Sequence, residues 1–192
     1  MKPLILASAS PRRKDLLEQA GISFSIVVSD ANEQIDEQFT PEEAVLSLAE
    51  QKATTVFEQH PQSIVLGSDT VVSLDGEILG KPASEQEAFR MLRALSGRTH
   101  QVFTGVCIVS EEGMESFYEE VDVSFYPLTD EEITAYINTQ EAFDKAGGYG
   151  IQGVGSLFVE RISGDYFSVV GLPVSKVVRT LASYQVSSHL FR

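Results

Sequence analysis

Apolar residues in this chain fall into short runs separated by small, polar or turn-forming residues. The first run, Leu4-Ile5-Leu6-Ala7, reads as a buried strand. Ser8-Ala9-Ser10 breaks it. Pro11 then opens a helix to about Ala20, with Ser10 as its N-cap, Leu16, Leu17 and Ala20 on one face, and Gly21 as the stop. Phe24 to Val28 predicts a second strand, and Ser29 to Gln38 an acidic loop. Thr40-Pro41-Glu42-Glu43 has the capping-box pattern, and the helix behind it carries Ala44, Val45, Leu48, Ala49 and Lys52 before ending near His60-Pro61. Lys52 falls near the apolar face. By spacing alone it reads as a snorkelling lysine rather than a charge aimed into a cleft.

Ile64-Val65-Leu66-Gly67 predicts a buried strand, followed by Ser68-Asp69-Thr70. The apolar run resumes at Val71 and Val72, and Asp75-Gly76 marks a hairpin turn. Gly80-Lys81-Pro82 is a constrained loop. Ser84 with Glu87 suggests a second capping box, ahead of a helix burying Ala88, Met91, Leu92 and Leu95. Gln101 to Ser110 and Glu115 to Tyr126 are long strand candidates joined at Glu111-Glu112-Gly113. Thr129 with Glu132 suggests a third capping box, opening a helix to about Asn138. Leu157 to Ile162 reads as a strand and Tyr166 to Val170 as another short one. A last helix starts around Leu172-Pro173 and carries Val174, Val177, Val178 and Leu181. Strands and helices mix, with hairpins among them, which predicts an α/β or α+β fold with a mixed sheet.

Composition adds bounds. A chain of 192 residues with 43% hydrophobic and 22% charged residues suits one domain, or one domain with two lobes. No apolar run approaches the roughly 20 residues of a membrane span, and the first run is too short for a signal-peptide core. The net charge of −14 argues against non-specific nucleic-acid binding and against an anionic membrane surface. The single cysteine, Cys107, cannot form an internal disulfide and sits in an apolar stretch, which fits a reducing cytoplasm.

The cations are unevenly spread: Lys2, Arg12, Arg13 and Lys14 are four of the fourteen lysines and arginines. Three of them sit at the start of the first helix. There they oppose the macrodipole by about 0.3–1 kcal/mol each when exposed, unless an anion is present. A strand, a turn of small residues and a helix start with guanidinium forks make a place to hold a polyphosphate.

Gly148-x-Gly150-x-x-Gly153 matches the dinucleotide fingerprint formally, but no strand precedes it and a strand-like run follows, so a Rossmann site is rejected. Gln152 within it offers a donor and an acceptor suited to the edge of a base. His60, His100 and His189 follow no zinc-ligand spacing and read as surface or structural histidines. There is no Walker A sequence and no nucleophile elbow. Carboxylate chemistry remains. Asp69 directly follows a buried strand, and Asp30, Glu33 and Asp144 lie in polar loops. Oxygen ligands beside phosphate suit Mg²⁺ or Mn²⁺, and Arg12, Arg13, Lys52 and Lys81 could neutralise the phosphates.

Longer motifs then fall into a pattern. Ser8-x-Ser10-Pro11-Arg12-Arg13-Lys14-x-Leu16-Leu17, Gly67-Ser68-Asp69-Thr70-Val71-Val72, Gly80-Lys81-Pro82, Leu95-Ser96-Gly97-Arg98-Thr99-His100, Asp144 through Gly153, Gly164-Asp165-Tyr166 and Val170-Gly171-Leu172-Pro173 occur in order over nearly the whole chain. Together they resemble the Maf family of nucleoside triphosphate pyrophosphatases. The resemblance implies a single domain over residues 1–192. Its fold would be an elongated, two-lobed α/β structure, a mixed twisted sheet with flanking helices and a central cleft, related to the house-cleaning inosine triphosphate pyrophosphatases.

The resemblance also implies metal-dependent hydrolysis of a nucleoside triphosphate to the monophosphate and pyrophosphate, with Mg²⁺ or Mn²⁺ as cofactor. In its terms Asp69 is the catalytic carboxylate and, with Glu33, a metal ligand. Ser8, Arg12, Arg13, Lys52 and Lys81 handle the phosphates, and Arg12, Thr70 and Gln152 govern base choice. The Gly-Tyr-Gly-Ile-Gln-Gly form resembles the subfamily acting on dTTP and UTP, with modified pyrimidine nucleotides as near alternatives. Asn32 stands where relatives often carry an acid. The resemblance leaves room for a homodimer. The family's link to septum formation in cell division suggests the rival reading, a nucleotide-binding regulatory protein without turnover.

Overall fold

The computed structural model describes residues 2–32, 35–36 and 38–191. In chain order its elements begin β1 (Leu4–Leu6), α1 (Pro11–Gln19), β2 (Ser25–Ile26), α2 (Pro41–Gln59), β3 (Ile64–Leu74), β4 (Glu77–Leu79) and α3 (Glu85–Leu95). They continue with β5 (Thr99–Ser110), β6 (Gly113–Phe125), α4 (Asp130–Ile137), β7 (Val159–Ser163), α5 (Tyr166–Val170) and α6 (Val174–Ser183). The seven strands pair in the order β2-β1-β3-β5-β6-β7, with β4 on β3. β1 runs parallel to β2 and β3, whereas the β3–β4 and β6–β7 pairs are antiparallel. The result is the expected α/β architecture, a mixed sheet with helices.

The chain divides into two compact units. The first comprises Met1–Asp69, Thr104–Glu119 and Gly171–Arg192; the second comprises Thr70–Phe103 and Glu120–Val170. Within the first, one apolar cluster joins Ile5 and Ala7 to Ala49, Ala53 and Val56 of α2 and to Val65, Cys107 and Val109. Within the second, Leu92 and Leu95 of α3 join Ile133 and Tyr136 of α4, Phe125, Tyr149 and Phe158. Tyr136 and Phe125 are among the largest fully buried side chains.

The helix starts follow their local chemistry. Ser10 Oγ accepts from Arg13 N with Pro11 in the first helical position, and the Thr40–Glu43 and Thr129–Glu132 boxes both close. The Ser84 box does not close. Ser84 accepts from Glu87 N, but Glu87 Oε2 accepts from Ala83 N, one residue earlier than the pattern requires.

Three further expectations are corrected. Ile64–Leu74 is one continuous strand running through Asp69, because a β ladder is made by the backbone and tolerates a polar side chain where one face is open. The second strand is only Ser25–Ile26. Tyr166–Val170 is a short helix, not a strand: Asp165 Oδ2 accepts from Ser168 N at 3.0 Å and from Ser168 Oγ at 2.7 Å, a side-chain cap that draws the chain into a helical turn.

Candidate functional site

The site is built from the polar segment that follows β1 and from polar residues midway along β3. β1 and β3 run parallel in register, Leu6 opposite Leu66, and Ala7 N donates to Leu66 O at 2.8 Å. The segment after β1 therefore leaves the sheet beside Gly67-Ser68-Asp69. Ser8 is buried, and its Oγ accepts from Ser10 N at 3.1 Å and from Arg13 Nη1 at 3.3 Å. Arg13 Nε donates to Gly171 O at 2.8 Å, and Ser68 Oγ donates to the same carbonyl at 3.3 Å. One backbone oxygen thus gathers the first turn of α1 and the residue before Asp69. Arg13 is only 9% exposed, and these two bonds engage Nε and Nη1 within the protein. Arg12 follows Pro11 in the same turn and is half-buried.

α2 brings the cation. Two glycines let this helix lie close on the strands: a Cβ at Gly67 would collide with Ala49 O, and one at Gly105 with Val45 O. That approach carries Lys52, one residue before Ala53, to Asp69 midway along β3. Lys52 Nζ donates to Asp69 Oδ1 at 2.5 Å, with the two side chains 12% and 16% exposed. The lysine that spacing alone reads as snorkelling is thus one half of a largely buried ion pair.

The second unit holds the other candidates. Thr70 follows Asp69 on β3 and is half-buried, while Lys81 is exposed in the loop after β4. That loop is tied to the glycine-rich segment through Gly147 N, which donates to Gly80 O at 3.0 Å. Gln152 is exposed, and the backbone around it is anchored from three directions. His100 Nε2 and Tyr149 Oη share a hydrogen bond of 2.7 Å. Gly150 N donates to Tyr136 Oη at 3.2 Å. Val154 N donates to both carboxylate oxygens of Glu141, at 3.2 and 3.0 Å.

His100 is wholly buried, edge-on to Phe125 with ring centroids 4.9 Å apart, and its Nδ1 has no hydrogen-bond partner among the described residues. Burial pushes its pKa down to about 4, against a smaller upward pull from Asp122, so the ring is neutral at pH 7. Burial raises both tyrosines, Tyr136 to about 12 and Tyr149 further, so both phenols stay protonated. Sequence reasoning missed Tyr136 and Glu141 altogether and read His100 only as a surface or structural histidine. Their contacts with the glycine-rich segment join residues 13 to 49 positions apart, which no local spacing reveals.

The donor set can be tested against a divalent cation. Among the described residues no group of three or more His, Cys, Asp or Glu converges as a ready-made cage. Glu33, the second expected ligand, lies outside the described residues. Asp69 offers one carboxylate, and Mg²⁺ is commonly held by one or two carboxylates together with substrate phosphates and water. The hard oxygen chemistry fits an ion of that kind.

Comparison with known proteins bears on this arrangement. The profile of the family described as Maf-like protein matches residues 3–184. The chain belongs to the Maf-like protein family. Among relatives of this Maf-like chain, a dTTP/UTP pyrophosphatase of Bacillus mycoides (strain KBAB4) is 54% identical over 184 residues, covering 96% of each chain. A dTTP/UTP pyrophosphatase of Bacillus cereus (strain ATCC 10987 / NRS 248) is 54% identical over 186 residues, covering 97% of this chain and 92% of the relative. Among solved structures, a nucleoside-triphosphatase, dITP/XTP pyrophosphatase, from Mycobacterium abscessus aligns over 100% of both chains with 18% identity and a TM-score of 0.47. A HAM1 protein from Coxiella burnetii aligns over 95% of this chain and 100% of its own, with 15% identity and a TM-score of 0.47.

No helix among the described residues is long and apolar enough to cross a membrane.

Proposed function

We propose that this chain hydrolyses dTTP and UTP to the nucleoside monophosphate and pyrophosphate. The observation that carries the reading is the Lys52–Asp69 pair midway along β3, beside the Ser8–Arg13–Gly171 network. It puts side by side a carboxylate able to take a proton from water and an ammonium able to offset phosphate charge. The choice of dTTP and UTP is supported by the 54% identity to relatives bearing that activity in their names.

In the proposed reaction a water oxygen forms a bond to the α-phosphorus, and the bond from that phosphorus to the α,β-bridging oxygen breaks. Asp69 takes the proton from the attacking water, and pyrophosphate leaves with the electron pair. Lys52, with Arg12 and Lys81, supplies positive charge for the phosphate oxygens. Such electrostatic stabilisation is usually the largest part of phosphoryl catalysis. Ser8 and Arg13, assigned to the phosphates, also hold the first turn of α1: Arg13 donates to Ser8 Oγ and to Gly171 O. A divalent ion, Mg²⁺ or Mn²⁺, held by Asp69 and, in this proposal, Glu33, would neutralise charge on the triphosphate. Gln152, Thr70 and Arg12 are assigned to base choice. Buried, unbridged Cys107 supports a reducing compartment such as the cytoplasm.

The test is a panel of canonical and modified triphosphates with Mg²⁺, Mn²⁺ and Co²⁺, scored for pyrophosphate and monophosphate. dTTP and UTP should be cleaved best. Asp69→Asn should abolish turnover while nucleotide binding persists. Near wild-type hydrolysis by that variant removes Asp69 from its role, and nucleotide binding without pyrophosphate release under any metal supports a regulatory protein instead.

A further inference from the structure

Gln152 is exposed, and an exposed amide discriminates between bases only if the backbone beneath it is fixed. The two sides of Gln152 are fixed differently. Two residues before it, Gly150 N donates to the buried Tyr136 hydroxyl at 3.2 Å. Two residues after it, Val154 N donates to Glu141, whose two oxygens lie 3.2 and 3.0 Å away. An ionised acceptor makes this the stronger of the two anchors. Gly153 lies directly against the same carboxylate, and a Cβ there would collide with Glu141 Oε2. Gly153 has ordinary extended backbone, with φ −103°. Its lack of a side chain therefore serves the approach of Glu141 and not an unusual backbone turn.

Glu141 is itself held. Its carbonyl oxygen accepts from Lys145 Nζ at 2.8 Å, and Lys145 also pairs with Asp144 at 2.5 Å. The lysine stem fills the space beside Gly150, where a Cβ would stand 2.6 Å from Lys145 Cε. Lys145 beside Gly150 and Glu141 beside Gly153 thus flank Gln152 and bond each other.

We propose that Glu141 is a positioning residue for base selection: by clamping Val154 N and lying against Gly153, it holds Gln152 where it reads a pyrimidine edge. The proposal rests on Gln152 as the base-reading residue.

The experiment measures kcat and KM for UTP and ATP in the wild type, Glu141→Ala, Glu141→Gln, Gln152→Ala and the double variant Glu141→Ala/Gln152→Ala. Glu141→Ala should raise KM for UTP by about tenfold with kcat held within about twofold. Its preference for UTP over ATP should fall to that of Gln152→Ala. Glu141→Gln keeps one acceptor oxygen and should retain most of the preference. The double variant should lose no more than Gln152→Ala alone, the signature of two residues acting through one contact. Gly153→Ala displaces the carboxylate without deleting it and should reproduce the loss, so it decides the matter if Glu141→Ala fails to fold. A wild-type preference in Glu141→Ala or Gly153→Ala, or losses that add in the double variant, overturns the clamp.

Calorimetric affinities for UMP and AMP across the same variants separate this outcome from failure of the proposed hydrolysis. A wild type that releases no pyrophosphate but binds UMP over AMP sinks the hydrolysis alone, and the clamp then stands or falls on the binding ratios. A wild type with no preference for UMP overturns the clamp.

Discussion

Lys52 Nζ stands 2.5 Å from Asp69 Oδ1, and neither side chain is more than 16% exposed. Asp69 has little water to fall back on, so loss of the Lys52 ammonium leaves its charge poorly compensated. Lys52→Met should lower stability, by less than the ~3–5 kcal/mol seen for fully buried pairs. It should also cut kcat/KM for dTTP by at least about 100-fold, as loss of a charge-stabilising group does. Urea unfolding and steady-state kinetics check the two effects separately. Unchanged kinetics with lowered stability would make the pair purely structural.

Gly67 sets how closely α2 approaches β3, because its Cα faces Ala49 O and Ala53 with no room for a methyl group. Gly67→Ala should cost about 1–3 kcal/mol through overpacking. It should also reduce activity more than the stability loss explains, since Lys52 rides on the displaced helix. The urea midpoint, followed by kcat measured well below it, tests this. An active, destabilised variant would show that the pair tolerates the shift.

His100 titrates near 4 in the folded protein against an ordinary value of 6.5. Between those values the unfolded chain binds a proton that the folded chain refuses. Stability is therefore fully present above about pH 6.5 and declines as pH falls towards about 4, by about 3 kcal/mol from this group. His100→Gln can still bond Tyr149 but cannot titrate, so its stability–pH slope over this window should be shallower than that of the wild type. Equal slopes in urea titrations from pH 7 to pH 4.5 would contradict the burial argument.

Cys107 is wholly buried, and burial pushes its thiol up to about 11. With so little thiolate and no access, a disulfide reagent should label it only as the protein unfolds. The check is a thiol titration with and without urea. Fast stoichiometric labelling of the native protein would refute it.

Sequence alone determined much of this protein. The helix starts at Ser10, Thr40 and Thr129 are written in adjacent residues, because a cap bonds to its own first turn. The turn at Asp75-Gly76 is equally local, with φ of 54° and 85° at its two residues. The motifs were long enough for the Maf-like family to be recognised from residues alone, Asp69 and Gln152 among them. The tertiary structure decided what those residues touch. Lys52 is a buried partner of Asp69 because two glycines admit a helix close to the strands. Arg13, assigned by its sequence position to the phosphates, also bonds a backbone carbonyl 158 residues away. His100, Tyr136 and Glu141 converge on the glycine-rich segment from separate elements. Capping and turn chemistry act over three or four residues and so leave local signatures. Burial, charge pairing and the anchoring of a loop depend on which distant backbones lie side by side, which only the packed fold establishes.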